Sequence, residues 1–210
     1  MAKILLARHG NTFGPGDKVV WVGAKEDLPL VEKGEAQAEA LGEALRDAAL
    51  TPARIICGPL KRTRRAAELV AGLTGFGGEI EIDLRLREID YGSWGGKTSE
   101  QIEAEFGLEA LEEWDTHHRR PKNCDWSPDE ATLKANALAA MADAARTEGL
   151  AVVITSNGIL RYMHGALEGA DDNAKVKTGY CCAADITGEH GTRLFWNAAP
   201  EADLLKQTFG

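Results

Sequence analysis

Cysteine is scarce and poorly spaced: Cys57, Cys124, Cys181 and Cys182 are the four in 210 residues, and no two stand in CxxC spacing. A vicinal pair such as Cys181 and Cys182 makes an awkward disulfide, so no disulfide framework is indicated and reduced thiols in a cytoplasmic protein are expected. Positive charge is also short. Twenty-four Lys and Arg face 33 Asp and Glu, a formal net charge of -9. That sign is wrong for general attraction to nucleic acid or to anionic membranes, so neither is an expected partner and any polyanion must be met locally. Long apolar runs are missing as well. The opening residues 1–8 (MAKILLAR) hold only four apolar side chains between their charges, too few for a signal peptide or a membrane span. The expectation is a protein neither exported nor anchored. Repeats and low-complexity tracts are absent.

What is present is ordinary globular material, 44% hydrophobic and 27% charged. A chain of this length buries about 70% of its unfolded surface and sustains its own core, so residues 1–210 are expected to form one domain. Short apolar runs alternate with longer amphipathic ones. Residues 3–7 (KILLA), Arg54–Cys57 (RIIC) and Ala151–Thr155 (AVVIT) are compact and apolar, as strands covered on both faces should be. Helical stripes occupy 32–49, 60–73 and 130–147. A short strand is expected at 79–82, and the runs 181–187 and 192–197 flank a Gly-Glu-His-Gly turn, which predicts a hairpin. The alternation predicts a three-layer α/β/α sandwich on a mostly parallel central sheet. Residues 97–128, with weak periodicity, are expected to form a lid-like insertion.

In such sheets ligands sit beyond the carboxyl ends of the strands. After KILLA comes Arg8-His9-Gly10-Asn11-Thr12; after RIIC comes Gly58-Pro59-Leu60-Lys61-Arg62; after AVVIT comes Ser156-Asn157-Gly158. These blocks, with Leu28-Pro29-Leu30, Gly34, Gln37 and the run from Glu88 through Tyr91 and Trp94 to Gly96, resemble in order and type the histidine phosphatase superfamily, the phosphoglycerate-mutase-like proteins. The resemblance implies a transient phosphohistidine on His9, phosphate clamping by Arg8 and Arg62, and proton donation by Glu88.

Physical chemistry supports those roles. A neutral imidazole is a competent nucleophile at pH 7 and divides a hard hydrolysis into two easier steps, so neither a metal nor another cofactor is expected. Guanidinium forks match the equatorial oxygens of a transferring phosphoryl group. A carboxylic acid whose pKa is lifted by burial can protonate the leaving alkoxide. Asn11, Thr12, Asn157 and Gly158 are further candidates for phosphate or substrate contact. Bland readings stand beside these: Arg62 could belong to a solvated basic helix face, Glu88 could pair with Arg85 or Arg87, and Asn157 could cap the following helix. Tyr91, Trp94 and Trp126 are candidates for the substrate mouth or for packing anchors.

The pattern breaks at one point. Where the family carries a second histidine after the late core strand, this chain has Asn157. An amide donates hydrogen bonds but carries no charge, and deleting a preorganised donor costs about 2.7–4 kcal/mol in comparable sites. His164, seven residues on, shares the azimuth of Asn157 but lies about 10 Å further along the axis. The expected activity is metal-independent hydrolysis of a phosphomonoester, on a small phosphorylated metabolite or a phosphoprotein. Phosphoglycerate mutase activity is the alternative, and a non-catalytic module that binds inorganic phosphate or a phosphate ester is another. A homodimer is left open.

Overall fold

The computed structural model describes residues 2–169, 173–188 and 190–210. Its centre is a six-stranded sheet built from β1 (Ala2–Arg8), β2 (Arg54–Cys57), β3 (Glu81–Ile82), β4 (Ala151–Thr155), β5 (Cys181–Thr187) and β6 (His190–Ala198), in the order β3-β2-β4-β1-β5-β6. β3, β2, β4 and β1 run parallel, whereas β5 and β6 are antiparallel additions. The three apolar runs singled out in the sequence are therefore adjacent, and their hairpin companion lies at the edge. Glu189, which the sequence reading puts in the turn of that hairpin, lies outside the described residues.

Strand side chains alternate between faces, and here both faces are apolar. Leu5, Ala7, Ile55, Cys57, Val152 and Ile154 meet one layer of helices, α1 (Glu32–Asp47), α2 (Lys61–Thr74) and α7 (Ala202–Phe209). Ile4, Leu6, Ile56, Ala151 and Val153 meet the other, dominated by α5 (Glu130–Ala144) and α6 (Asn157–Gly165). The fold is an α/β/α sandwich. Each fully buried aliphatic side chain contributes roughly 1.5–3 kcal/mol, so these two layers hold the sheet ends in register. The same alternation settles the cysteines. Cys181 points into the first layer and Cys182 into the second, so adjacent thiols are separated by the sheet itself, and all four cysteines are free.

Residues 97–128, the expected lid-like insertion, are partly helical and packed on the body of the domain. They contain two eight-residue helices, α3 (Ser99–Phe106), opened by a Thr98/Gln101 capping box, and α4 (Leu108–Asp115). Two turns of helix are too short to display a clear apolar stripe, which explains the weak periodicity. Ile102, Trp114 and Trp126 are buried with the α5–α6 layer. Trp21, Trp114 and Trp126 surround Tyr91 in a cluster of edge-to-face rings that Trp94 joins through Trp21 and Trp126, with Trp126 centred 4.8 Å from Tyr91 and 5.0 Å from Trp94. Trp94 and Trp126 are thus packing anchors. Tyr91 reaches the cleft described next.

Candidate active site

The carboxyl ends of β1, β2 and β4 converge. Arg8 pairs in register with Thr155, the His9 N–H donates to the Thr155 carbonyl at 3.1 Å, and the Gly58 N–H donates to the Ile154 carbonyl at 3.0 Å. A cleft of about 690 Å³ opens there, and Arg8, His9, Asn11, Thr12, Arg62, Glu88, Tyr91 and Asn157 all line it. Five cationic side chains (Arg8, Lys33, Arg62, Arg161 and Lys175) stand against two carboxyl groups, Glu88 and Asp115, in its wall. The local field therefore opposes the acidic net charge of the chain.

His9 is held by backbone contacts that leave no room for error. The loop after β1 packs on the start of α1 so closely that a Cβ on Gly10 would stand 2.1 Å from the Gly34 carbonyl oxygen, and one on Gly34 2.1 Å from that of Asn11. Asn11 is fixed in turn, its N–H donating to Gln37 Oε1 at 2.8 Å. The buried ring of His9 has Nδ1 2.7 Å from the Gly10 carbonyl. A carbonyl only accepts, so Nδ1 carries the proton and Nε2 keeps its lone pair. Arg62 Nε donates to that Nε2 at 3.2 Å. Burial, reinforced by Arg62 and Arg8, holds the His9 pKa well below 6.5, which keeps the imidazole neutral at pH 7.

Arg62 is the inward member of its basic run: Lys61, Arg64 and Arg65 are exposed and Arg65 pairs with Glu35, whereas the Arg62 side chain is buried. Residues one apart on a helix face different ways. Its two Nη atoms donate to the carbonyls of Glu26 (3.0 Å) and Gly23 (3.1 Å). Arg8 Nη1 donates to the Val176 carbonyl at 2.6 Å, and burial brings its pKa down to about 10, leaving it protonated at pH 7.

Glu88 does not pair with Arg85, which binds Asp83 instead. Its carboxylate accepts from the Ile89 N–H (2.8 Å) and from the Gly158 N–H (3.2 Å). Burial raises its pKa, while those two bonds and Arg62 and Arg8 oppose the rise. Gly158 gives its N–H to Glu88 and is not among the lining residues; a Cβ there would meet Glu88 Oε1 at 2.2 Å. The capping reading of Asn157 is corrected. Ser156 takes the cap position without a side-chain bond, and Asn157 Oδ1 accepts from the Val176 N–H at 2.9 Å. With its oxygen occupied, the amide presents its NH₂ as the remaining donor. His164 is buried, its ring 4.8 Å from that of Trp196, and does not line the cleft.

Sequence reasoning missed Arg161. It lies on α6 four residues after Asn157, and four-residue spacing on a helix is the signal that places both on one face. Lys175 and Thr178, contributed by the segment before β5, had no such signal.

The family model for the histidine phosphatase superfamily, branch 1, matches residues 4–198, and the chain belongs to that superfamily. Over 92 residues it is 39% identical to probable phosphoglycerate mutases GpmB of Citrobacter koseri and Salmonella typhi, covering 44% of this chain and 40% of each relative. The match spans about two fifths of the length of those curated relatives. The fold also matches a mycobacterial glucosyl-3-phosphoglycerate phosphatase, with a TM-score of 0.77 and 21% identity over 95% of this chain and all of that one. An alpha-ribazole phosphatase from Shigella flexneri superposes with a TM-score of 0.70 and 21% identity over 94% of this chain and 96% of the other. Among the described residues no helix is long and apolar enough to cross a membrane.

Proposed function

We propose that this protein is a phosphomonoester hydrolase that carries the phosphoryl group transiently on His9 Nε2. The observation that carries the reading is the fixed tautomer: Nδ1–H is spent on the Gly10 carbonyl, so the lone pair of Nε2 faces the cleft beside Arg62. In the first step Nε2 attacks phosphorus, the bond from phosphorus to the ester oxygen breaks, and Glu88 gives its proton to the departing alkoxide. In the second, water attacks phosphorus, the P–N bond breaks, and the Glu88 carboxylate takes the proton released by the water. Arg8 and Arg62 offset charge on the equatorial oxygens in both steps.

Hydrolysis is favoured over mutase chemistry because a mutase must shield its phosphohistidine from water. Here α7 packs on the α1 side, with Leu205 buried in that layer, and contributes nothing to the cleft wall. The substrate is a phosphorylated small metabolite or a phosphorylated protein side chain, entering past Val19, Val20 and Trp21. The fold neighbours named as phosphatases support hydrolysis, and the four free thiols fit a cytoplasmic setting. A panel of phosphate esters, followed for both phosphate release and isomer formation, tests the proposal. Phosphate release without isomerisation is expected; a phosphoryl group returned to a sibling hydroxyl would make the protein a mutase.

A further inference from the structure

Arg8 and Arg62 suffice to flank a phosphoryl group, yet the cleft holds a third buried guanidinium. Only 3% of the Arg161 side chain is exposed. Its plane lies over Trp114, 4.6 Å from the ring centre, Nη1 donates to the Trp114 carbonyl, and Nη2 lies 3.5 Å from Asp115 Oδ1. Its buried Nε has no hydrogen-bond partner among the described residues. Asp115 is shared, because Lys175 Nζ binds the same oxygen at 2.7 Å. One carboxylate thus faces two cations. Arg161 is also within electrostatic reach of Arg8 and of Glu88. Like charges buried side by side are costly unless compensated, and an anion in the cleft compensates them.

We infer that Arg161 is a phosphoryl-binding residue that contributes, from one turn further along α6, the positive charge that the neutral amide of Asn157 lacks. The inference rests on the phosphoryl site proposed around His9. It makes Trp114 the post that holds the guanidinium at the cleft wall and Asp115 the carboxylate that competes with an incoming anion for it, which gives the 97–128 segment a part in phosphate recognition. The competing role is a tie between α4 and α6 with no ligand. The two roles predict opposite consequences for Asp115: removing its charge loosens a tie but frees Arg161 and Lys175 toward an anion.

Binding of inorganic phosphate, measured by titration calorimetry with melting temperature recorded alongside, separates them. Arg161→Gln should weaken phosphate binding by about tenfold or more, as loss of a charge-assisted hydrogen bond does, while Arg161→Lys should retain most of it. Asp115→Asn should tighten it. Unchanged affinity in Arg161→Gln, or weakened affinity in Asp115→Asn, overturns the inference. If Arg161→Gln does not fold, the sign of the Asp115→Asn effect decides alone. Failure of the His9 reading looks different: no phosphoryl-enzyme forms, yet phosphate affinity still depends on Arg161.

Discussion

Arg62 Nε donates to His9 Nε2 across 3.2 Å, and the same guanidinium donates through its two Nη atoms to the carbonyls of Gly23 and Glu26. One side chain thereby orients the His9 ring and braces the loop that leads into the cleft. In the proposed mechanism Nε2 gives its lone pair to the phosphoryl group and the Arg62 Nε–H turns to a phosphoryl oxygen, so the donor that orients the ground state would also stabilise the intermediate.

Arg62→Ala should therefore lower turnover by about 10²–10³, the range for removal of a preorganised donor. Arg62→Lys should recover part of the charge but not the three-way brace. Steady-state kinetics with melting curves check this; a loss of stability in Arg62→Ala with turnover per folded molecule intact would leave Arg62 only its bracing role.

In the proposed mechanism Glu88 supplies one proton. Glu88→Gln should slow esters of poorly leaving alcohols far more than activated aryl esters, whose departing oxygen needs no proton. Equal slowing of both ester classes assigns Glu88 to structure.

Gly158 sets the position of that carboxyl. Alanine normally favours a helix interior over glycine by about 1 kcal/mol, but a Cβ at 158 would overlap Glu88 Oε1 at 2.2 Å and approach the Tyr91 hydroxyl at 2.9 Å. Overlap outweighs propensity. Gly158→Ala should reproduce the leaving-group dependence of Glu88→Gln and lower the melting temperature; a stabilised, fully active variant would contradict the packing.

The depressed pKa of His9 makes stability depend on pH. In the folded protein the ring stays neutral well below 6.5, while in the unfolded chain it takes a proton near that value. The unfolded state thus binds more protons between the lowered folded value and 6.5, so the His9 contribution is complete above about pH 6.5 and is lost as pH falls through that window. His9→Gln should flatten this part of the profile of unfolding free energy against pH. An identical acid slope in both proteins would place the His9 pKa near its ordinary value.

Much of this arrangement was legible in the residues. The three central strands read as apolar runs because both faces are covered, and the polar residues that follow them, Arg8, His9 and Arg62, meet at one cleft as their places in the chain require. Asn157 was harder, since capping propensity is local whereas the bond that occupies its oxygen comes from Val176, nineteen residues away. The pairing of Gly158 with Glu88 was not legible, because nothing in the order of residues shows that a carboxyl from position 88 fills the space its side chain would take. Arg161 was readable from its spacing to Asn157, but its burial depends on Trp114, carried by a helix too short to announce itself.

Rapid chemical quenching during turnover of a phosphate ester, followed by mass spectrometry of the peptide that contains His9, tests the central claim most directly. An acid-labile phosphoryl group on His9 should accumulate and disappear at rates consistent with turnover, should be unaffected by a chelator, and should be absent with turnover in His9→Ala. Ester hydrolysis that proceeds without any phosphoryl group on His9, or that survives its replacement by alanine, would contradict the account.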